Sequence, residues 1–346
     1  MSNKWAAKFA VRLVKTRILT SHNLLVYRRA LMSEFDCDYL ILGAGAVGCV
    51  FGGLLSKAGK KVQLINSTLK TSKAVKKNGL ILELNKETIH CFPEAGLPIE
   101  ALNARIVMVF TKTHQTLKAL MGILPNMSPK TTYITLQNGL GNTDKLYKIL
   151  PESPILYGVT MLPATLLKPG HVKSDGVNTT WFGSGSPTNL AIAKTLYQDL
   201  KLAGFDVELV KNPALPVWQK ACFSVAMNGV SALINGPPGL IEAYPELKTL
   251  VHELADEAIR VADAKMVNID AQKVHELIDF ACSKHKFHNP SMLQDIQSGR
   301  TTEIDSLNGF ILREAEGLNI QAPINRLVYH LIQARQEAEN FWQQKH

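Results

Sequence analysis

The sequence predicts an α/β domain with a mainly parallel sheet, followed by an all-α domain. From residue 36 to about residue 210, short apolar runs alternate with helical stretches, which is the pattern of consecutive βαβ units. Beyond the proline-containing segment Lys211–Pro216, only helical periodicity remains. A chain of 346 residues is also long for one hydrophobic core. We therefore expect two domains, 35–211 and 212–343, with a cleft between them and a leader, 1–33, outside the fold.

The strands of the α/β domain are predicted from short runs of apolar and β-branched residues, each bounded by polar or turn-forming residues. An extended segment over Val172–Phe182, a helix over Asn189–Ala203 and a last strand near Asp206–Val210 complete this domain. The six earlier strands are predicted at Tyr39–Leu42, Val62–Ile65, Leu80–Leu84, Ile106–Phe110, Tyr133–Leu136 and Ile155–Val159.

The second domain is predicted to be helical because apolar residues recur there with a period near 3.6. A proline-containing hinge between the two domains makes the cleft a natural place for a ligand. The predicted helices are Leu215–Ile234, Tyr244–Met266, Ala271–Lys284, Met292–Ser298, Glu303–Glu316 and Ile324–Gln343.

A glycine-rich motif, Gly43-Ala-Gly45-Ala-Val-Gly48, follows the first predicted strand and opens a helix of small residues. In a GxGxxG motif the first glycine permits a tight turn and the second lets the backbone approach a pyrophosphate. The third lets the helix pack on the strand. Free N–H groups at the helix N-terminus then face the phosphates. The motif predicts a Rossmann-like dinucleotide-binding domain.

The end of the second strand discriminates between the two nicotinamide cofactors. An NAD site places a carboxylate there, which binds the ribose 2′-hydroxyl. This chain has Asn66 and Ser67 instead, followed by Thr68, Lys70 and Lys73. No carboxylate in this segment would repel a 2′-phosphate, and its hydroxyl and lysine side chains can bind one. NADP(H) is therefore favoured over NAD(H). The alternative that the two lysines form only a solvated helix face stays open.

A polar stripe marks the otherwise apolar helix predicted at the start of the second domain. Lys220, Ser224, Asn228 and Ser231 fall on one helical face, and the residues between them are apolar or small. A buried lysine has a lowered pKa, which suits it to proton transfer near neutral pH. In the alternative interpretation the lysine only extends its amine to solvent and the other residues bond locally.

Charge and cysteine content exclude several classes of protein. The net charge is +9, but the leader 1–33 carries seven basic residues and no acidic one, so the rest of the chain is nearly neutral. A near-neutral body is atypical of nucleic-acid binding. Five scattered cysteines indicate neither a disulfide framework nor a metal site. No apolar run reaches the ~20 residues of a membrane span, so we expect no stable membrane insertion.

Several motifs in this order and spacing resemble those of the ketopantoate reductase (2-dehydropantoate 2-reductase) family. The resemblance runs from about Cys37 to His330. It is carried by the glycine motif, Lys112-Thr-His-Gln115, Gln137-Asn-Gly-Leu-Gly141, the pair Lys220 and Asn228, Ser291-Met-Leu-Gln-Asp295 and Thr302-Glu-Ile-Asp305.

The resemblance implies NADPH-dependent reduction of 2-dehydropantoate to (R)-pantoate, a step of pantothenate and coenzyme A biosynthesis. It implies that Lys220 is the general acid and that Glu303 lies at the same centre. Together with Ser67 and Lys70, the cofactor side is expected to comprise Gly43, Ala44, Gly45, Ala46, Val47, Gly48, Lys112, Gln115, Asn138 and Glu303. The substrate side is expected to comprise Asn138, Ala164, Ser224, Asn228, Asn289 and Ser291.

Three departures from the family pattern leave alternatives open. Ser224 and Pro238 stand where the family usually has asparagines, and Ser67 stands where it usually has an arginine. Because polar groups of a pocket determine its specificity, the absence of these two asparagine amides leaves a different small 2-keto acid as an alternative substrate. A non-catalytic NADP(H) sensor is a third alternative, against which Lys220 and Glu303 argue.

Location and assembly are expectations from the sequence alone. We expect a cytoplasmic monomer or homodimer. The basic, acid-free leader 1–33 leaves organelle targeting or a membrane-surface helix as alternatives, beside the interpretation that translation starts downstream of residue 1 and the leader has no function.

Overall fold

The computed structural model of this chain describes residues 34–343, and their side chains as far as residue 338. The leader 1–33 lies outside the described residues, so the predictions made for it stay predictions. The described strands are β1 (Cys37–Leu42), β2 (Val62–Ile65), β3 (Leu80–Leu84), β4 (Glu87–Cys91), β5 (Glu94–Gly96), β6 (Ala104–Val109), β7 (Thr132–Thr135), β8 (Ile155–Thr160), β9 (Thr165–Lys168), β10 (His171–Ser174), β11 (Thr180–Ser184) and β12 (Val207–Leu209).

Helices alternate with the first strands and then follow one another after β12. None of them, within residues 34–343, is both long and apolar enough to cross a membrane. They are α1 (Ala46–Lys57), α2 (Leu69–Asn78), α3 (Thr116–Ile123), α4 (Asn142–Ile149), α5 (Leu190–Leu202), α6 (Ala214–Ile234), α7 (Pro238–Ala243), α8 (Pro245–Ala264), α9 (Ala271–Lys284), α10 (Ser291–Gln297), α11 (Asn308–Gly317) and α12 (Pro323–Gln343).

The main sheet has eight strands in the order β12-β11-β8-β7-β6-β1-β2-β5. Neighbouring strands run parallel except β8 and β11. From β1 the chain moves to β2 on one side and later to β6 on the other. Ligands of open α/β sheets bind outside the carboxyl ends of the strands at such a switch point. The topology therefore positions a site next to the end of β1.

The central strands are continuous apolar runs because helices cover both faces of the sheet. One face packs against α1 and α5, with Phe51 and Leu196 fully buried there. The other face packs against α3 and α4, with Leu120 and Leu146 fully buried. Burial on both faces fixes the sheet as a rigid frame for the loops at its edge.

A second sheet, in the order β4-β3-β10-β9, packs against α1. The hairpin between β3 and β4 turns at Asn85 and Lys86, whose φ angles are 47° and 76°. Strands β4, β5 and β9 were not among the predicted elements. All four residues of β9 are exposed, so its sequence carries no alternation of buried and exposed positions.

The C-terminal region is built around α6. Helices α8, α9, α10 and α12 contact it, which explains why Cys222, Val225 and Ala226 are fully buried. Small residues permit this close packing: a Cβ on Gly229 would lie 2.5 Å from a side-chain atom of Val328. The polar stripe of α6 is therefore held inside a packed assembly of helices.

The predicted fold class, a Rossmann-like α/β region followed by a helical region, is confirmed. The prediction of one helix over Glu303–Glu316 is wrong. Glu303 precedes a short 3-10 turn, Ile304–Ser306, and helix α11 begins at Asn308. Leu307 breaks the helix with φ −113° and ψ −103°. Glu303 thus lies on an irregular segment, which frees its side chain to point away from the helix packing.

Candidate active site

The glycine-rich loop joins β1 to α1 at the switch point of the sheet. Gly43 has a φ of +100°, and a Cβ there would lie 2.6 Å from the backbone nitrogen of Thr111. A Cβ on Gly48 would overlap the carbonyl oxygen of Gly43. Gly45 differs, since a Cβ there would meet nothing within 4 Å. The loop is therefore tight against the protein at its two ends and open at Gly45, where a dinucleotide pyrophosphate fits.

The loop is tethered to the end of β2 by Asn66. The side-chain amide of Asn66 donates to the carbonyl of Ala44 at 3.1 Å, and its oxygen accepts from the backbone N–H of Thr68 at 3.1 Å. Ala44 itself is buried, whereas Ala46 and Val47, in the first turn of α1, are only partly buried. First-turn N–H groups have no acceptor inside their helix. They remain available to an anion at the open side of the loop.

Four exposed side chains with hydroxyl or ammonium groups follow the end of β2. They are Ser67, Thr68, Lys70 and Lys73, and neither lysine forms an ion pair with a described residue. No carboxylate lies among residues 66–73. The end of β2 is therefore followed by hydroxyl and ammonium groups and by no acidic side chain as far as residue 73.

Lys220 projects from α6 to the carboxyl ends of β7 and β8. Its Nζ donates to the side-chain oxygen of Asn138 at 2.7 Å and to the carbonyl of Thr160 at 2.6 Å. An ammonium has three N–H donors, so one is left. The side-chain nitrogen of Asn138 has no partner among the described residues. Two unused donors thus lie side by side at the edge of the sheet.

Burial sets the protonation behaviour of this amine. Removal from water lowers the pKa of Lys220 to about 8, and the nearby Glu303 carboxylate partly opposes this by raising it. At pH 7 the group is therefore mostly an ammonium that releases its proton readily. Such a pKa suits a general acid working near neutral pH.

Glu303 reaches the site from the segment before α11. Its Oε1 accepts from the backbone N–H of Thr113 at 3.2 Å and from the Thr113 hydroxyl at 3.3 Å. Its Oε2 lies 3.7 Å from Nζ of Lys112. The carboxylate is thus held by residues that follow β6, although it belongs to the helical region.

Lys112 connects the same two regions. Its Nζ lies 2.6 Å from Oδ2 of Asp295, a buried carboxylate on α10. The other oxygen of Asp295 accepts from Nε of Arg300 at 3.0 Å. Gln115, which follows in the same motif, is exposed and lies in the short 3-10 turn Thr113–Gln115. The predicted pair Lys112 and Gln115 therefore diverges: the first points across the cleft and the second to solvent.

The predicted substrate residues continue along the polar face of α6. Ser224 is 8% exposed and its hydroxyl has no partner among the described residues. Asn228 donates to the carbonyl of Ser224 at 3.1 Å and accepts from the Ser291 hydroxyl at 3.3 Å. Asn228 also accepts from the backbone N–H of Met292 at 3.2 Å. The structure thus brings α6 and the start of α10 together around one amide.

Two predicted substrate residues lie apart from these contacts. Ala164 is partly buried in the loop between β8 and β9, and Asn289 is partly buried just before α10. The carbonyl of Asn289 accepts from the side chain of Gln294 at 2.7 Å. The side chain of Asn289 forms no hydrogen bond with Lys220 or Asn138.

Four residues of the site were missed by the sequence analysis. Gln137 ties the ends of β6 and β7 together, donating to the carbonyl of Thr111 at 2.6 Å and to the Thr116 hydroxyl at 2.9 Å. Gln137 could have been predicted, because it is the first residue of the motif that contains Asn138. Thr160 acts through its backbone carbonyl, which no side-chain pattern reveals. The other two are Thr113 and Asp295, both inside motifs quoted above.

A cavity of about 410 Å³ is lined in part by the loop 137–141. It is lined by residues of both regions, including Asn142, Tyr157, Trp218 and Phe310. Lys220, Glu303 and Asn228 do not line it. This cavity is therefore distinct from the place where the side chains of Lys220, Glu303 and Asn228 lie.

The open glycine loop and the buried ammonium both lie at the carboxyl ends of parallel strands of the main sheet, β1 for the loop and β7 and β8 for the ammonium. The loop fits a dinucleotide, and the ammonium fits the oxygen of a carbonyl that accepts a hydride. Fold and site together define a dinucleotide-dependent reductase.

Comparison with known proteins identifies the family. Ketopantoate reductase PanE/ApbA matches residues 39–187, and its C-terminal counterpart matches residues 214–336. The 2-dehydropantoate 2-reductase of Streptococcus pyogenes serotype M3 is 31% identical over 302 residues, covering 87% of this chain and 98% of the relative. This chain belongs to the ketopantoate reductase family and is an oxidoreductase acting on a CH–OH group.

Solved structures agree with this assignment. A ternary structure of D-mandelate dehydrogenase with NADH and anilino(oxo)acetate has a TM-score of 0.83 and 27% identity, covering 88% of this chain and 99% of that one. A PanE/ApbA family ketopantoate reductase from Ralstonia eutropha has a TM-score of 0.81 and 28% identity, with the same coverage.

Proposed function

We propose that this protein reduces 2-dehydropantoate to (R)-pantoate with NADPH, in pantothenate and coenzyme A biosynthesis. The observation that carries the proposal is the buried Lys220 ammonium, which has one free N–H beside Asn138. The relatives named 2-dehydropantoate 2-reductase support the choice of substrate.

In this proposal, residues of this chain bind the cofactor and donate a proton to the substrate. The bound cofactor supplies the hydride for the keto carbon of the substrate. Lys220 donates its free N–H to the substrate oxygen, stabilises the negative charge that develops there, and then transfers the proton. Glu303 keeps that ammonium protonated through its charge, and Asn138 holds it in place.

The cofactor residues are assigned by position. The loop Gly43–Gly48, comprising Gly43, Ala44, Gly45, Ala46, Val47 and Gly48, receives the pyrophosphate. Ser67 and Lys70, at the end of β2, bind the 2′-phosphate. Lys112, Gln115 and Asn138 line the nicotinamide side together with Glu303.

The substrate residues are assigned to the polar face of α6 and its neighbours. Asn138, Ser224 and Asn228 each keep a side-chain donor that no described residue uses, and the Ser291 hydroxyl can turn from Asn228 to the substrate. The four side chains therefore suit the hydroxyl and carboxylate of a 2-keto acid. Ala164 and Asn289 flank this face from the loops before β9 and α10. Because a pocket built from hydrogen-bonding groups discriminates strongly against ligands that lack them, these residues determine which acid is accepted.

A second candidate substrate is a different 2-keto acid, one with an aromatic side chain. The observation that favours it is the TM-score of 0.83 to a D-mandelate dehydrogenase. Ser224 is consistent with it, because a serine in place of the family's usual asparagine leaves more space on the α6 face.

The test is a spectrophotometric assay of NADPH oxidation with 2-dehydropantoate, pyruvate, 2-oxobutyrate and phenylglyoxylate. We expect kcat/KM to be highest for 2-dehydropantoate. Lys220→Ala should lower kcat by roughly 10²–10⁴-fold, the usual contribution of a positioned proton donor. A preference for phenylglyoxylate would select the second candidate. Wild-type kcat in Lys220→Ala would refute the proton-donor role.

Domain limits, assembly and location are further proposals. We propose a domain boundary at residues 211 and 212, supported by the last strand ending at Leu209 and α6 beginning at Ala214. We propose a cytoplasmic monomer or homodimer, which size-exclusion chromatography with light scattering would resolve.

A further inference from the structure

We infer that Thr113 is a positioning residue that holds the Glu303 carboxylate at the reaction site. The inference rests on the proposed function, since it assigns Glu303 to the reacting centre. Thr113 follows β6, whereas Glu303 precedes α11, so the contact joins residues 190 positions apart in the chain.

Both donors of Thr113 converge on one oxygen. The backbone N–H and the hydroxyl lie 3.2 Å and 3.3 Å from Oε1 of Glu303. Thr113 is 7% exposed, so water competes little for these bonds. Because Oε1 accepts both bonds from Thr113, the other carboxylate oxygen, Oε2, is the one that faces Lys112, 3.7 Å from its Nζ. The two bonds thus select one orientation of the carboxylate.

This orientation needs a restraint because other cations attract the same carboxylate. Lys112 pairs with Asp295 at 2.6 Å and also forms a longer ion pair, 3.7 Å, with Oε2 of Glu303, which would shorten if the carboxylate rotated toward Lys112. Lys145, on α4, also interacts electrostatically with Glu303. A glutamate on an irregular segment has three free torsions, and these cations would draw it away from Lys220. Thr113 opposes that movement.

The hydroxyl of Thr113 has no other hydrogen-bond partner among the described residues. Thr113→Val preserves the shape of the side chain and removes only the hydroxyl, and Thr113→Ser restores it. Thr249, exposed on α8, provides a matched control because its hydroxyl donates only to the carbonyl of Pro245.

The first test is steady-state kinetics of 2-dehydropantoate reduction by the full chain. Thr113→Val should lower kcat about tenfold, a typical loss for one hydrogen bond to a charged group. The KM for NADPH should change by less than about twofold. Thr113→Ser should recover most of the loss, and Thr249→Val should match the wild type. In a Glu303→Gln background, Thr113→Val should have little further effect on kcat.

The second test uses ligand-free protein. Urea unfolding of Thr113→Val, Glu303→Gln and the double variant should show non-additive shifts, as expected for residues in direct contact. The inference would be overturned if Thr113→Val had the kcat of the wild type, or if this substitution lowered kcat by the same factor in the wild-type and Glu303→Gln backgrounds. Neither result would affect the proposed function. Absence of turnover by the wild type with every 2-keto acid would instead overturn the proposed function.

Discussion

The ammonium of Lys220 lies 2.7 Å from the side-chain oxygen of Asn138, a contact between the helical region and the end of β7. The carbonyl of Thr160 accepts a second N–H at 2.6 Å. These two acceptors fix the direction of the third N–H, because an ammonium is tetrahedral. The helical region carries this lysine, the α/β region orients its amine, and burial lowers its pKa. Neither region alone forms the donor.

The pH dependence of catalysis follows from the lowered pKa of Lys220. A general acid must be protonated, so kcat/KM should fall as pH rises through about 8, the pKa of this lysine. Glu303 raises that pKa, so Glu303→Gln should move the alkaline limb to lower pH. A pH profile from 6 to 10 for both proteins would check this. An alkaline limb at the same pH in both would contradict the electrostatic link between the two groups.

Buried Lys220 should also lower the stability of the fold. Its folded pKa of about 8 lies below the unfolded value of 10.5, so the unfolded chain binds the proton more tightly. The penalty is full below pH 8 and vanishes above 10.5, and it is on the order of 3 kcal/mol at pH 7. Lys220→Met should therefore be more stable than the wild type at neutral pH, and the difference should shrink as pH rises.

Urea unfolding at pH 7, 8, 9 and 10 would measure that difference. Lys70→Met, at an exposed position on α2, is the matched control and should leave stability within about 0.5 kcal/mol at every pH. A Lys220→Met protein that is less stable than the wild type at pH 7 would show that the two hydrogen bonds outweigh the desolvation.

The sequence predicted those parts of the fold that are set by local pattern. Val62–Ile65 and Leu80–Leu84 have the predicted bounds because burial makes each a short apolar run bounded by polar residues. Strand β4, Glu87–Cys91, was missed because its residues are mostly polar and exposed. Its hairpin turn uses Asn85-Lys86 rather than a glycine, so the turn also lacks a strong signal.

For the site, the side-chain motifs were predictable and the contacts were not. The spacing of Lys220, Ser224 and Asn228 indicates one helical face from sequence alone. That Lys220 meets the carbonyl of Thr160, and that Glu303 meets Thr113, depends on how two regions pack, which has no local pattern. The break of the helix at Leu307 was equally unpredictable from a local pattern, since it depends on tertiary contacts.

The lysines after β2 predict a measurable cofactor preference. Lys70 and Lys73 are exposed, form no ion pair with a described residue, and lie near Ser67. Removing both in Lys70→Ala/Lys73→Ala should lower kcat/KM for NADPH by roughly 5–30-fold, since each exposed contact between a cation and the phosphate contributes roughly 0.5–1 kcal/mol. The value for NADH should stay unchanged. Equal losses with both cofactors would place the 2′-phosphate elsewhere.

The glycine loop offers a pair of substitutions that separate binding from folding. A Cβ on Gly45 meets nothing within 4 Å, so Gly45→Ala should leave stability within about 0.5 kcal/mol. The same methyl group occupies the space where the backbone must approach the pyrophosphate. The dissociation constant for NADPH should therefore rise at least about tenfold. Fluorescence titration of NADPH would measure it.

Gly48→Ala, in contrast to Gly45→Ala, should lower the stability of the fold. Its Cβ would overlap the carbonyl oxygen of Gly43, which is backbone and held by the hydrogen bond from the Gly45 N–H at 2.8 Å. The loop must shift to relieve that overlap, so stability should fall by about 1–3 kcal/mol, typical of overpacking. Thermal unfolding of both variants without cofactor would compare them. If Gly45→Ala lost stability and bound NADPH like the wild type, the open side of the loop would not be the pyrophosphate site.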